Sequence, residues 1–365
     1  MKHIVTLICA AAVLPSLCGQ QLSSYMDFGT SFPQVSTASI STNSGGTFVA
    51  DNLHETIDAD PGPDELWLNP GAVNGAFVAY VTASGQWQWA QFIPTNSLSN
   101  VYVECKADEG YVISGGYYGE VDFDPGAGEY LLNSNGSPGL YAASYTATGE
   151  LQWAISLTGS GYNTLYDMTI DNNGNVLLGG YFQETLDLDP GSGEWSVTAN
   201  DSDFFIVKLD SSGNFIWALA LGGDMYDYVR WIDTDSQQNV VVSGVHRSVV
   251  DMDPGAGELL LSPADEFSES NFMAKYDANG NLLWAHTIGL GTGSGDESEL
   301  CQVDSDDNVL WAGWYAWNID FDPGVGEAWV ADSDFAEGWF VVKYLPDGTF
   351  SWVISGPGGY VQALT

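Results

Sequence analysis

Short apolar runs alternate with polar turns along most of the chain. Phe204-Phe-Ile-Val-Lys-Leu209 is followed by Asp210-Ser-Ser-Gly213 and then by Asn214-Phe-Ile-Trp-Ala-Leu-Ala-Leu221. Next come Tyr228-Val-Arg-Trp-Ile-Asp233, a polar turn, and Asn239-Val-Val-Val-Ser-Gly-Val245. Runs rich in β-branched and aromatic residues, separated by Gly, Asn, Asp and Ser, predict successive β-hairpins. These four strands are termed a, b, c and d in the order in which they occur. No stretch sustains a 3.6-residue period, so few helices are expected.

The same pattern returns at a fixed interval. Ile57-Asp-Ala-Asp-Pro-Gly62, Val121-Asp-Phe-Asp-Pro-Gly126, Leu186-Asp-Leu-Asp-Pro-Gly191, Val250-Asp-Met-Asp-Pro-Gly255 and Ile319-Asp-Phe-Asp-Pro-Gly324 match one another. Their first aspartates, at 58, 122, 187, 251 and 320, are 64, 65, 64 and 69 residues apart. A glycine turn leading into a tryptophan marks each unit again: Gly85 to Trp89, Gly149 to Trp153, Gly213 to Trp217, Gly280 to Trp284 and Gly348 to Trp352. Two landmarks sharing one period define tandem repeats of about 65 residues. The expected fold is all-β, a β-propeller of five four-stranded blades, occupying residues 33–365 as a single domain. The chain opens on a c–d pair, Gln34 to Ala50, and its last hairpin, Trp339 to Ser355, is an a–b pair. Pairing the first with the last would complete the fifth blade and close the ring, leaving no free edges. Gly358-Gly-Tyr-Val-Gln-Ala-Leu-Thr365 resembles the start of another strand c (compare Gly222 to Val229), as in a larger propeller.

The first residues point to export. Lys2 and His3 precede an apolar run from Ile4 to Leu17, and small and polar residues follow. This is the layout of a secretory signal peptide, assigned to residues 1–20, with 21–32 as a short linker. The run is too short to span a membrane, and no later stretch is long enough. A secreted or cell-surface location is expected. Cys105 and Cys301 then remain, and free buried thiols are expected because they fall in similar strand slots of different repeats.

Charge narrows the partners. Forty-eight acidic residues against seven basic ones give a formal net charge of -41. Nucleic acid and anionic membranes need a positive surface and are poor partners on that ground, so no nucleic acid is expected. Yet 45% of residues are hydrophobic and 13% aromatic, so the chain has the material for a core. A monomer is expected.

Val207-Lys-Leu-Asp-Ser-Ser-Gly-Asn-Phe-Ile-Trp217, Met273-Ala-Lys-Tyr-Asp-Ala-Asn-Gly-Asn-Leu-Leu-Trp284 and the hairpin Asp171-Asn-Asn-Gly-Asn-Val176 resemble the SBBP-type β-propeller repeats of exported bacterial proteins. The resemblance runs from about residue 33 to the end. It implies a fold and no shared activity. The same hairpins are weakly similar to the tryptophan-docking repeats of quinoprotein dehydrogenases, whose activity is not carried over. Trp89, Trp153, Trp217, Trp284 and Trp352 are expected to pack between blades, where a large flat ring buries much apolar area.

The acidic connectors carry the one sharp chemical idea. Each has Asp, a second Asp two residues later, Pro-Gly, and Glu five residues after the second Asp. The sets are Asp58/Asp60/Glu65, Asp122/Asp124/Glu129, Asp187/Asp189/Glu194, Asp251/Asp253/Glu258 and Asp320/Asp322/Glu327. In extended chain, residues i and i+2 share a face, so both aspartates point one way and the residues between them point into protein. Carboxylates converging beside turn carbonyls would suit Ca²⁺. The alternative is structural, each Asp accepting hydrogen bonds from its own turn amides. Lys208, Lys275 and Lys343 share one slot on strand a, and pairing with a neighbouring blade's carboxylate is expected.

No catalytic constellation emerges. A sialidase would need three arginines, and only Arg230 and Arg247 are present. The mature chain's histidines, His54, His246 and His286, fall in unrelated slots. A carboxylate-pair glycosidase has many candidate pairs and none that stands out. Catalytic residues normally break repeat symmetry, whereas these acids obey it. The expected function is therefore a non-catalytic binding or scaffolding module. Trp67, Tyr130, Trp195 and Trp329, beside the acidic turns, either pack in the blade or stack on the sugar rings of a polysaccharide or other cell-surface component.

Overall fold

In the computed structural model, the residues described are 38–58, 67–71, 73–97, 99–263, 269–288, 297–315, 319–324, 326–330 and 338–357. The expected signal peptide and linker lie outside them. Among the described residues there are 28 strands and no helix. The first repeat holds β1 (Ala38–Ser41), β2 (Thr47–Leu53), the short pair β3 (Ile57–Asp58) and β4 (Trp67–Leu68), then β5 (Gly75–Val81) and β6 (Trp87–Ile93). The second holds β7 (Val101–Cys105), β8 (Tyr111–Tyr117), the pair β9 (Glu120–Asp122) and β10 (Leu131–Asn133), β11 (Gly139–Tyr145) and β12 (Leu151–Gly159). The third uses four long strands, β13 (Asn163–Ile170), β14 (Val176–Asp187), β15 (Ser196–Leu209) and β16 (Phe215–Leu221). The fourth holds β17 (Tyr228–Thr234), β18 (Val240–His246), the pair β19 (Val250–Asp251) and β20 (Leu260–Leu261), β21 (Ser270–Tyr276) and β22 (Leu282–Ile288). The fifth holds β23 (Glu297–Val303), β24 (Val309–Tyr315), the pair β25 (Ile319–Asp320) and β26 (Trp329–Val330), β27 (Gly338–Tyr344) and β28 (Phe350–Pro357).

All of these ladders are antiparallel, and the sheet order corrects one expectation. The opening c–d pair, β1–β2, joins β5–β6 in one sheet, and the last a–b pair, β27–β28, completes the sheet begun by β23–β24. Within each repeat the strands are thus ordered c, d, a, b, with no exchange of strands between the ends. Repeats two and three are further joined into one eight-stranded sheet, where Thr158 and Gly159 of β12 pair with Asp187 and Leu186 of β14. The reason is local: the Asp-x-Asp-Pro-Gly segment folds as a short hairpin that returns the chain beside strand d. Phe48 thus pairs with Tyr80 and Val242 with Ala274 in regular register.

The chain divides into two compact units, Met1–Ser156 and Leu157–Thr365. In the first unit, strands c and d of the first repeat pack on strand c of the second. Phe48, Ala50, Ala76 and Val78 meet Val103, Tyr111 and Ile113 there. In the second unit, Leu177, Phe204, Ile206 and Leu219 of one sheet meet Val229, Val242, Phe272 and Tyr276 of the next. Val241 and Met273 meet Trp311, Phe340 and Val342 in the same way. Alternation along each strand supplies both faces: i, i+2 residues pack on one neighbouring sheet and i+1, i+3 residues on the other.

Two of the five recurring tryptophans, Trp217 and Trp284, stand at these junctions, whereas Trp352 is 39% exposed. Trp217 Nε1 donates to the Ala278 carbonyl at 3.0 Å, and Trp284 Nε1 to the Pro346 carbonyl at 3.1 Å, both on the a–b turn of the following repeat. The glycines of those turns, Gly280 and Gly348, have φ of +83°. A Cβ added at Gly348 would lie 2.8 Å from the Trp284 ring, so the glycine is required both by its left-handed backbone and by the indole beneath it. Cys105 and Cys301 are free thiols; Cys105 is buried, whereas Cys301 keeps partial exposure.

Candidate functional site: the acidic hairpins

Four of the five acidic connectors are described; Asp60 and Glu65 of the first lie outside the described residues. Burial alternates as the sequence requires: Val121 and Phe123 are buried, while Asp122 and Asp124 keep partial exposure. The first aspartate closes the hairpin. Asp122 Oδ1 accepts from the amides of Asp124 at 3.0 Å and Tyr130 at 2.8 Å. Asp187 accepts likewise from Asp189 and Trp195, Asp251 from Asp253 and Leu259, and Asp320 from Asp322 and Ala328, all within 2.8–3.1 Å.

The second aspartate folds the Pro-Gly turn onto itself. Asp124, Asp189, Asp253 and Asp322 each accept the amide of the glycine two residues on at 2.8 Å. Their other oxygen lies against a second glycine. A Cβ at Gly128, Gly193, Gly257 or Gly326 would sit 2.0–2.1 Å from Oδ2, a space only hydrogen can occupy. That steric demand explains the full pattern Asp-Pro-Gly-x-Gly, whose second glycine the sequence reading passed over.

The donor set does not fit a calcium cage. Glu129, Glu194, Glu258 and Glu327 are exposed, and Glu194 accepts from the Ser196 hydroxyl at 3.1 Å. Among the described residues, no three His, Cys, Asp or Glu side chains come together closely enough to hold a metal ion. In these four loops the carboxylates serve the turn, which is the structural alternative.

A tyrosine on strand a fastens the hairpin to its sheet. The hydroxyls of Tyr145, Tyr276 and Tyr344 donate to the carbonyls of Phe123, Met252 and Phe321, the residues between the two aspartates, at 2.9, 3.2 and 2.8 Å. Val81 and Leu209 fill this slot in the other repeats, and sequence reasoning missed the contact because tyrosine at a strand end reads simply as core.

The lysine slot is a second surprise. Lys208 binds Asp171 at 2.9 Å and Lys275 binds Asp235 at 2.8 Å, with side chains 0–3% exposed; Lys343 binds Asp304 at 2.7 Å with both near one-fifth exposed. Each aspartate belongs to the c–d turn of the lysine's own repeat, which corrects the expected pairing across blades. Asp171 also accepts from the Asn173 and Asn175 amides and the Asn175 side chain. Burial alone would raise its pKa, but the bonds from Asn175 and Lys208 outweigh burial and hold it below the usual carboxylate range. Asp235 and Asp304 are lowered by the same balance.

Two acids on strand c, Asp167 and Asp233, have no basic side chain within ion-pair distance among the described residues. Asp167 accepts from the Met168 and Ile232 amides, both at 2.9 Å, and Asp233 from Thr234 at 2.7 Å and Val303 at 2.8 Å. Each thus stitches its strand c to strand c of the following repeat. Burial pushes Asp167 up to about 8 and Asp233 to about 6.

The aromatics beside the hairpins face solvent. Trp67, Tyr130, Trp195 and Trp329 are 59, 42, 47 and 55% exposed. Tyr130 donates its hydroxyl to the Ala154 carbonyl, and the Trp195 ring lies 5.8 Å from Phe215 of its own sheet.

No family model matches the chain. In an alignment of 186 residues, 45% of this chain, it is 25% identical to an uncharacterized WD repeat-containing protein of Acanthamoeba polyphaga mimivirus. The chain spans 13% of that relative's length. A crystal structure of a protein of unknown function from Bacteroides caccae aligns with a TM-score of 0.36 and 11% identity, over 77% of this chain and 90% of that one. The mimivirus relative's name describes a repeat protein and no enzymatic activity.

Proposed function

We propose that the chain is an exported, non-catalytic β-propeller-type scaffold whose acidic hairpins present aromatic rings to polysaccharide or another cell-surface polymer. The observation that carries this reading is the exposure of Trp67, Tyr130, Trp195 and Trp329, between 42 and 59%, each beside the same hairpin of a different repeat. Large exposed aromatics cost solvation free energy. They recur in two adjacent slots of the hairpin, Trp67 and Trp329 opposite Asp58 and Asp320, and Tyr130 and Trp195 one residue before that position, which supports a ligand that repeats as well. The four-stranded sheets packed in series support a blade arrangement, and the similarity to a WD-repeat protein agrees with it. Calcium has no role in this reading, and neither does catalysis: the acidic features follow the repeat and serve the backbone.

The test is affinity electrophoresis in gels containing xylan, glucomannan, alginate or polygalacturonate, comparing wild type with Trp67→Ala, Trp195→Ala and Trp329→Ala. Retardation of wild type by one polymer, reduced several-fold by these substitutions, is expected. Migration unaffected by every polymer would leave the bare scaffold as the better reading. That second reading has its own support, since the Tyr130 and Trp195 contacts hold those rings against their own sheets.

A further inference from the structure

Cations are scarce in this chain, and all but one of those described are paired. Lys106, Lys208, Arg247, Lys275 and Lys343 each stand within ion-pair distance of a carboxylate. Among the described residues Arg230 has no such partner, although the chain carries 48 acids. The acids near it in sequence are already engaged. Asp224 accepts from Asn200, Asp227 from the Gly223 and Arg247 amides, and Asp233 from the Thr234 and Val303 amides. A β-bulge sets the position of Arg230. Strand c slips register between Leu165 and Asp167 in β13, between Val229 and Trp231 in β17, and between Ser298 and Leu300 in β23. The residue passed over is Tyr166, Arg230 or Glu299. A bulge leaves its extra residue out of the ladder and re-aims its side chain. Three different residues fill this slot, so the feature breaks the repeat that the acidic hairpins obey.

Tyrosines gather at the same place. The rings of Tyr166, Tyr181, Tyr226 and Tyr228 form a closed circuit, with centroids 5.6, 5.2, 5.4 and 5.4 Å apart in that order and back to Tyr166. The Tyr226 hydroxyl is hydrogen-bonded to those of Tyr166 and Tyr181, and Arg230 lies within electrostatic reach of Tyr166. Two bonds among three hydroxyls leave one O–H to donate elsewhere. Burial raises Tyr166 and Tyr226 above the usual phenol range, so both are protonated donors at neutral pH. Tyr181 is buried, while Tyr166, Tyr226, Tyr228 and Arg230 are half-buried. Every one of these residues belongs to repeats three and four, inside the second unit.

We infer that Arg230 and the tyrosine cluster form a binding site for a carboxylate carried on a ring, the ligand being an aromatic acid or a uronic acid. The guanidinium fork matches a carboxylate with two parallel N–H bonds. The remaining phenolic O–H supplies a third donor, and the ring faces take the flat body of the ligand. The charge of the whole chain selects a monoanion. At a net charge of -41, each further negative charge on a ligand is repelled, whereas a carboxylate brings a single charge that Arg230 cancels. This site is separate from the acidic hairpins and does not rest on the polysaccharide reading.

Isothermal titration of the full chain tests it, with benzoate and glucuronate as probes, benzamide and glucose as their neutral counterparts, and inorganic phosphate as a more highly charged anion. At least one of the two carboxylates is expected to bind while its neutral counterpart does not, and the one that binds identifies the source as an aromatic or a sugar acid. Arg230→Gln is expected to weaken that binding by roughly tenfold or more, and Tyr226→Phe by a few-fold. Failure of both carboxylates to bind at millimolar concentration would overturn the inference. So would equal binding of the neutral counterpart, tighter binding of phosphate, or wild-type affinity in Arg230→Gln. Should Arg230→Gln lose its cooperative melt, Arg230→Lys decides in its place. It keeps the charge without the fork, so weaker binding is expected, and unchanged affinity would count against the site.

Discussion

Lys208 and Lys343 occupy one repeat position in different surroundings. The Lys208–Asp171 pair is almost sealed from water, and the asparagine and turn amides saturate the carboxylate. Lys208→Met is expected to destabilise the fold by roughly 3–5 kcal/mol in urea denaturation, since it strands a buried charge. Lys343→Met, at a partly solvated pair, should cost only about 1 kcal/mol or less. The uncompensated acids give a pH dependence of definite sign. Asp167 and Asp233 titrate at about 8 and about 6 when folded, against about 4 when unfolded. Between those limits the folded chain holds protons that the unfolded chain has released, so stability falls as pH rises from about 4 to 8. Asp233 keeps some solvent contact, so the buried Asp167 carries the steeper share. Asp171, Asp235 and Asp304 act oppositely, with stability lost below about pH 4 as they protonate. Urea midpoints should therefore peak near pH 4, and Asp167→Asn should flatten the decline between 6 and 8. The lysine slot was visible in the sequence, but its partner was not, because the c–d turn aspartates look like ordinary turn residues until the ladder places them beneath strand a.

Each acidic hairpin is organised by one oxygen of its first aspartate, which accepts two amides eight residues and less apart. Asp122→Ala should cost about 1–2 kcal/mol, whereas Asp124→Asn, whose amide oxygen still accepts from Gly126, should be nearly silent. Melts in millimolar Ca²⁺ should match melts in Mg²⁺ at equal ionic strength; a rise specific to calcium, lost in Asp122→Asn/Asp124→Asn, would reinstate the metal reading. The a–b turns permit a cleaner comparison. Gly348→Ala meets both a left-handed backbone and the Trp284 ring at 2.8 Å, while Gly85 has a similar φ of +78° with nothing within 4 Å of an added Cβ. The alanine at 348 should be the costlier by about 1 kcal/mol or more in thermal melts, the excess measuring indole packing alone. Strand positions, repeat period and the facing of the two aspartates were all legible from alternation. What the aspartates bind was not, because carboxylates that cap a turn and carboxylates that hold a cation share one spacing. Exposure of Trp67 and Trp329 was equally hidden, since a tryptophan among β-branched residues has the composition of a core.

At the scale of the molecule the acidic excess dominates. With 48 acidic and seven basic residues, self-repulsion opposes folding and salt should relieve it. The melting temperature is expected to rise by several degrees between 10 and 500 mM NaCl; a flat response would mean that the acids are already compensated locally. The repeat count could be read from the sequence, but the grouping of strands could not, since the same four runs parse equally well as a-b-c-d or c-d-a-b. Hairpin geometry at the acidic connectors decided it. Because each c–d–a–b set is encoded by one uninterrupted stretch, a tandem duplication or an in-frame deletion of about 64 codons adds or removes a whole set. The one ladder it can break is the two-residue pairing of β12 with β14 between repeats two and three. Natural variants of this gene should accordingly differ in length by whole multiples of the repeat, and a protease cutting between repeats should leave each four-stranded set intact on one side of the nick.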